Sequence, residues 1–530
     1  MWNRDAVDAF QFAGQDLPWL LSHWAEHKPD HPVLIWEPRD GAERRWSYAE
    51  FVAEVRDVAA GLAARGVTKG EKVLIHSDNC PEMVIAWYAC AWLGAVGVTT
   101  NTRSAGAEIA YFVEHTRCVG AITQPQYADL VAENAKDLGW LVVTADNSGE
   151  APKTKVEANH EPFAALQGNG EGLAQRPADP MAPAGIMFTS GTTSRPKAVV
   201  HTHANALWAS RMGPINADIT GDDTYLVYLP FFHVNAQSWS FWSTLGAGGT
   251  IVLQPKFSAS RFWEVVVKHD VTHISLIPFV FKAIANQPVP EHKLKVGIFG
   301  LIMPALESWL KLRILASWGM TETVIHATRN DYFQTYPDGS MGKPTPGYEF
   351  MIVDPETETP CPPGEIGELW VRGRRGVQLF LEYYDNEEAM SKSFTEDGWF
   401  KTGDRVVLGE AGNFFYKDRD KDALKVGGEN VSAREVEDCC REVGGVADIA
   451  VVGRQHEMLD QVPVVFVIQA PGAPEPEAHA QALLEHCRSK LADFKVPRAV
   501  YFRDSFPTAT LEKVAKNRLR EEADRLPAPE

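Results

Sequence analysis

The sequence predicts an α/β protein built on largely parallel sheets, and three observations carry that reading. Short apolar, β-branched runs such as Pro32–Trp36, Lys72–His76 and Val119–Thr123 alternate with helical patterns. Strands separated by helices pair in parallel through crossovers. The chain has 530 residues and no internal repeat, a length that suits roughly two to four domains or subdomains.

The elements follow in order. Leu17-Pro-Trp-Leu-Leu leads into a first helix and Pro32–Trp36 is a short strand. Ser47 to Gly61 opens with Ser-Tyr-Ala-Glu, a capping box in which the first side chain and the fourth satisfy each other's backbone N–H groups. Lys72–His76 is a strand, Met83–Leu93 a helix, Ala95–Thr99 extended, Ala105–Glu114 a helix and Val119–Thr123 a strand. The stretch Ser148–Pro183, rich in Gly, Pro, Asn and Ala, reads as a loop. After it come an apolar strand at Gly185–Phe188, a predicted helix over Val199–Arg211 and strands at Thr224–Pro230 and Val271–Pro278. A helix at Ala433–Glu442, strands around Ile449 and Val464, and a helix at Asn517–Arg525 end the pattern.

Composition narrows the function. Hydrophobic residues make up 45% and charged residues 23%, near globular averages, which excludes general disorder. Lys plus Arg number 51 and Asp plus Glu 70, a net charge of −19 with no basic run. Such a surface repels nucleic acid and anionic lipid, so an anionic ligand needs local donors. Seven cysteines occur without Cys-x-x-Cys, which indicates neither a disulfide framework nor a zinc site and suggests a reducing cytoplasm. The opening Met-Trp-Asn-Arg-Asp is unlike a signal peptide. The longest apolar run, Met83–Val98, contains glycines and is shorter than the ~18 residues expected of a spanning helix.

The most informative stretch is Phe188-Thr189-Ser190-Gly191-Thr192-Thr193-Ser194-Arg195-Pro196-Lys197. It places hydroxyl side chains around a glycine, contains no carboxylate and ends on a lysine. Backbone N–H groups in such a turn form a concave anion site, the hydroxyls add hydrogen bonds and Lys197 supplies a point charge. A Walker loop is excluded: Pro196 stands in place of its second glycine and Ala198 in place of its magnesium hydroxyl. Ser/Thr/Gly clusters are also common turns without a ligand, so this loop alone leaves both readings open.

The run resembles the phosphate loop of the acyl- and aryl-CoA synthetases in the adenylate-forming superfamily, with Ser194 and Ala198 at two glycine positions. Further stretches match in order: Trp318-Gly319-Met320-Thr321-Glu322, Gly364–Gly373, Asp397–Asp404, Tyr416–Asp422, Lys425–Ser432, Phe494-Lys495-Val-Pro497 and Pro507–Lys516. The resemblance covers about Leu17 to Arg520. Within the superfamily the chain looks most like the crotonobetaine/carnitine-CoA ligases. It implies a large α/β N-terminal domain, residues 1–420, with parallel-sheet subdomains and a smaller β-rich one. A small mobile α+β C-terminal lid, residues 421–530, would follow.

By the same resemblance, Thr189, Ser190, Gly191, Thr192, Thr193 and Lys197 hold ATP phosphates, and Trp318 offers a flat face to the purine. Thr321 donates to the α-phosphate and Glu322 holds Mg2+, an ion that keeps several waters and needs one or two carboxylates. Asp404 and Arg419 reach the ribose. Lys421 is the hinge, Lys425, Gly427 and Gly428 line the CoA tunnel, and Lys513 is the catalytic lysine beside Glu322 and Thr189. His233 at a strand end is by itself commonly structural; the resemblance makes His233, Asn235 and Trp239 substrate-pocket candidates, with Phe241 and Trp242 in the core. The region 294–315 departs from the family, so adenine contacts there are not carried over. Glu512 replaces a usual glycine.

The implied reaction converts a carboxylic acid, Mg-ATP and CoA to acyl-CoA, AMP and pyrophosphate through an acyl-adenylate. The implied partners are a small-molecule acid and no nucleic acid, with no integral membrane segment and a homodimer as the assembly the resemblance allows. Two alternatives stand. One is a stand-alone adenylation enzyme that loads a carrier-protein thiol. The other is a degenerate nucleotide-binding member, motivated by Ser194, the altered 294–315 region and Glu512.

Overall fold

The computed structural model describes residues 11–145, 160–174, 176–189, 195–419, 423–507 and 516–527. Among these the strands form four sheets. The first runs in the order Arg313–Ala316, Val296–Phe299, His273–Ser275, Thr224–Val227, Thr250–Leu253, Pro32–Trp36, Arg44–Ser47, parallel except for the last pair. The second has Glu382–Tyr383, Lys197–Thr202, Pro183–Thr189, Val96–Thr99, Lys72–His76, Cys118–Thr123, Leu141–Val143 and Glu161–Pro162. It is parallel from Pro183–Thr189 onward and antiparallel at its first three strands. The third, antiparallel sheet lies within residues 328–419. The fourth is made wholly of residues 423–502, with the Ala433–Arg441 and Pro476–Lys490 helices on the same segment. A large α/β domain with two parallel sheets and a smaller C-terminal domain is therefore the observed architecture.

Local signals explain most elements. The Tyr48–Ala64 helix begins at the expected capping box, with Ser47 and Glu50 satisfying each other's backbone N–H groups. The apolar run predicted to be a buried helix entering a strand is that: Pro81–Leu93 is helical, Gly94 turns it in the left-handed region at φ 76°, and Val96–Thr99 follows. Among the described residues no helix is long and apolar enough to cross a membrane. All seven cysteines are free thiols.

One prediction is corrected. Residues 199–202 are not helical: Lys197–Thr202 is a strand antiparallel to Pro183–Thr189, and the helix is His203–Ala217, capped by Thr202. The β-branched pair Val199-Val200 and the pairing available on both sides outweigh a helical pattern that begins only at His203. The two strands thus pair as a hairpin whose loop end carries Thr189 opposite Lys197. Similarly, the strand expected to run into Phe231–Asn235 stops at Val227, and His233 lies in the turn leading to a π-helical segment, Asn235–Trp242.

Trp87 joins the two parallel sheets. Its fully buried indole meets Phe231 and Trp242 edge-on or tilted at centroid distances of 6.3 and 5.8 Å. On its other side it lies over Gly97 and Gly185, which are directly paired across neighbouring strands. A Cβ on Gly97 would fall 2.5 Å from Trp87 Cδ1, so no side chain fits there. Gly97→Ala is expected to destabilise the large domain by about 1–3 kcal/mol through overpacking, read as an earlier urea unfolding midpoint. An unchanged midpoint would show that the indole has room to move.

Candidate functional site

The site assembles where the hairpin of the second sheet meets the end of the first. The Arg313–Ala316 strand runs into Ser317 and Trp318, followed by a tight 3-10 turn at Thr321–Thr323. His201, on the hairpin, donates from Nε2 to the Thr321 carbonyl at 2.8 Å. Burial pushes His201 down to about 4, with the Thr321 bond opposing, so its imidazole is neutral at pH 7 and the carbonyl partner fixes the Nε2–H tautomer. Thr321 is thereby set beside the hairpin that carries Thr189 and Lys197.

Glu322 is 5% exposed, and its Oε1 accepts from the Tyr383 hydroxyl at 2.8 Å. Tyr383 lies on the short strand paired to the hairpin's Val199–Val200 edge, and Lys197 Nζ stands over its ring, 4.4 Å from the centroid. Tyr383 thus links two segments remote in sequence, meeting Glu322 with its hydroxyl and Lys197 with its ring face. A buried carboxylate oxygen is a ligand suited to magnesium on a polyphosphate, which needs only one or two such groups. Ser190, Gly191, Thr192 and Thr193 lie outside the described residues, as do Lys421 and Lys513.

Trp318 is tied to Asp404, another residue singled out in the sequence. Its indole is buried, edge-on to Phe350 at 6.0 Å, and its Nε1 donates to Asp404 Oδ2 at 2.9 Å. The bond orients Asp404, which sits inside the Trp399–Leu408 strand rather than after a turn, and a carboxylate oxygen keeps a second lone pair for a ribose hydroxyl. Arg419 is the backbone partner of Asp404 across the antiparallel ladder.

A second constellation lies at the π-helical segment. Wide π turns recur at functional sites, and this one brings Asn235 and Trp239 about one turn apart. Trp239 meets the ring of His326 at 4.5 Å in a T-shaped contact and packs on Gly319, where a Cβ would be 2.8 Å from Trp239 Cζ2. Trp239 Nε1, Asn235 Oδ1 and both His326 nitrogens are buried without a hydrogen-bond partner among the described residues. Burial pushes His326 down to about 3, so it is neutral. Phe241 and Trp242 are core, as expected. His326 carries no motif and was missed; its distance from Trp239 in sequence hides the contact.

The small domain reaches this site. Gly427 and Gly428 form the turn between Ala423–Val426 and Glu429–Ser432, with φ of 60° and 92°, a region that favours glycine. Gly428 faces Ile277 of the large domain, where a Cβ would come within 3.2 Å of Ile277 Cδ1. Glu429, which sequence reasoning did not single out, accepts from His233 Nε2 at 2.9 Å and from Asn101 Nδ2 at 3.1 Å. Lys425 is exposed and its backbone N–H is held by Gln461.

A competing metal site is disfavoured. Glu37, Glu43 and His269 bring three ligand atoms within 4.8 Å of one another, but Lys268 Nζ already bonds Glu37 at 2.7 Å and Glu43 at 3.0 Å, and Arg261 holds the other Glu37 oxygen. It is an ion cluster.

These features define an α/β protein whose smaller C-terminal domain contacts the large one at His233, Asn101 and Ile277. A family model for AMP-binding enzymes matches residues 21–384, and one for the AMP-binding enzyme C-terminal domain matches 435–513. The chain belongs to the AMP-binding enzyme family. It is 31% identical to a crotonobetaine/carnitine–CoA ligase of Proteus mirabilis (96% of this chain, 99% of that one). It is 33% identical to the Citrobacter koseri enzyme of the same name, with the same coverage. Among solved structures it resembles Bacillus subtilis o-succinylbenzoate CoA synthetase bound with a product analogue (TM-score 0.79, 26% identity, 95% and 98% of the chains). ATP-bound MatB from Rhodopseudomonas palustris superposes with a TM-score of 0.69 at 26% identity, over 96% and 99%.

The His233–Glu429 pair predicts a pH dependence. Burial alone would lower the His233 value, but the charge and hydrogen bond of Glu429 outweigh it and hold it above 6.5. A raised value means that the stabilisation is fully present below about 6.5 and is lost as pH rises through the higher folded value. The thermal stability difference between the wild type and Glu429→Gln should therefore be largest between about pH 4.5 and 6.5, where Glu429 is ionised and His233 protonated, and shrink as pH rises above that window. A difference independent of pH would exclude a charged His233. The side chain is 37% exposed, so a small difference is expected.

Proposed function

We propose that this chain is an ATP-dependent acyl-CoA synthetase. It joins a carboxylic acid to CoA through an acyl-adenylate. The observation that carries the reading is the attachment of Thr321 and Glu322, through His201 and Tyr383, to the hairpin that holds Thr189 and Lys197, with the Gly427–Gly428 turn and Glu429 docked beside His233. In the first half-reaction a carboxylate oxygen of the acid attacks the α-phosphorus of ATP, and the bond to pyrophosphate breaks. In the second, the CoA sulfur attacks the acyl carbon and the C–O bond to AMP breaks. Bound Mg2+ would neutralise phosphate charge, and Glu322 would hold it. The protein contributes positioning and charge: Lys197 and the phosphate loop meet the phosphates, Thr321 the α-phosphate, Asp404 and Arg419 the ribose, and Lys513 the α-phosphate in the adenylating pose.

The two-pose scheme divides the chain at Lys421 into residues 1–420 and 421–530. The present arrangement, with the glycine turn against the large domain, suits the thioester-forming pose. The better superposition on the product-analogue complex than on ATP-bound MatB, at equal identity, supports this.

For the acid, the contact of Trp239 with His326 would put an indole and a neutral imidazole at the acyl pocket. The polar atoms there are neutral, so no fixed positive charge opposes a quaternary ammonium group, which an indole face attracts. Short betaine acids of the kind named for the relatives are the first to test. The carrier-protein alternative is separated by offering free CoA and a carrier protein as acceptors.

Two variants test the reading by single-turnover release of AMP and pyrophosphate over a panel of betaine, short, aromatic and long-chain acids. Glu322→Gln should lower adenylation about a hundredfold, the loss expected for ~3 kcal/mol of transition-state stabilisation. Turnover and magnesium dependence like those of the wild type would remove Glu322 from the metal. Lys513→Ala should abolish acyl-AMP formation yet leave thioester formation from supplied acyl-AMP largely intact. Equal loss in both steps would rule out a lysine used in only one pose.

A further inference from the structure

We propose that Lys495 is a positioning residue for the thioester step, a latch that reaches across the domain boundary to Glu108 in the first turn of a large-domain helix. The inference rests on the two-pose reading above. Lys495 Nζ lies 2.6 Å from Glu108 Oε1 and 2.8 Å from Glu435 Oε1, and the three side chains are 5%, 8% and 6% exposed. Lys495 and Glu435 belong to the small domain. Glu108 belongs to the large one, in the first turn of the Gly106–Thr116 helix, where its other oxygen accepts from Ala105 N at 2.9 Å.

The neighbouring contacts make one docking strip of residues 101–108. Asn101 bonds Glu429, Arg103 Nε bonds Asp493 at 2.7 Å, and the Arg103 guanidinium lies 4.7 Å from the centroid of Phe494. Lys495 is the innermost of these contacts and the one shielded from water, so it is the least weakened by screening.

The stoichiometry of the triad explains how such a latch opens. Breaking a buried ion pair is normally costly because one charge is left buried and alone. Here two carboxylates share one ammonium. When the small domain departs, Lys495 keeps Glu435, and Glu108 keeps its backbone donor while gaining water. Neither charge is stranded. In the docked state burial opposes the Lys495 charge and the two carboxylates overcome that opposition, while burial drives the Glu435 carboxyl up despite Lys495. The excess negative charge makes Glu108 the partner that gives way.

The test uses the full chain with CoA and the adenylate of whichever acid in the panel releases pyrophosphate fastest. Lys495→Met should slow thioester formation from that adenylate at least tenfold and leave acyl-AMP formation within twofold of the wild type. Glu108→Gln, which keeps an acceptor for Ala105 N, should give the same split. Combining the two should add little, since both remove one contact. Lys495→Arg should restore most of the rate, and Glu435→Gln, which leaves the cross-domain pair intact, should remain near wild type. Intact adenylation reports that each variant folds. Equal slowing of both half-reactions, an unslowed thioester step, or additive losses would overturn the latch. A wild-type protein that releases no pyrophosphate with any acid would overturn the synthetase reading instead.

Discussion

The site depends on one hydrogen bond, that of the Tyr383 hydroxyl to Glu322. A buried carboxylate in an acidic protein is stable only when its lone pairs are matched and a cation is near. Tyr383 provides the match, and it comes from the strand that closes the hairpin's outer edge, so the hairpin cannot pair correctly without bringing Lys197 over the same ring. Sheet pairing and charge placement are one event. The same economy appears at His201, whose neutral ring ties the Thr321 carbonyl to the hairpin's inner strand.

This coupling answers the electrostatic difficulty posed by a net charge of −19. Long-range attraction of a polyphosphate is unavailable, so binding has to come from donors held within a few ångströms, where screening is weak. Under the proposed function the segment between Thr189 and Lys197 would supply those donors, with its ends fixed by the ladder.

Much of this was legible in the sequence, and the limits have physical causes. The capping box at Ser47, the buried helix turning at Gly94 and the motif order needed only local chemistry. The strand at 197–202 was misread as helix because its partners, residues 183–189 and 382–383, lie elsewhere in the chain and tertiary pairing decides β structure. The bond of the Trp318 N–H to Asp404, 86 positions away, is likewise invisible to a sequence reading. The same holds for Glu429 with His233 and Lys495 with Glu108, separated by 196 and 387 positions. Each of those residues is ordinary alone, and its meaning lies in a contact that no spacing rule reports.

The cross-domain contacts also share a design. Those to Glu429, Asp493 and Lys495 are polar and hydrogen-bonded rather than broadly apolar. An apolar interface of similar extent would hold the small domain by area alone and release it only by exposing that area to water. Polar pairs are exchanged for water at little net cost, provided that no charge is left buried. The triad meets that condition through its second carboxylate, and the glycine turn meets the steric side of it by approaching Ile277 without a side chain. Under the proposed two-pose scheme, such a docking surface would be strong enough in sum to select one arrangement and weak enough in each part to let it go.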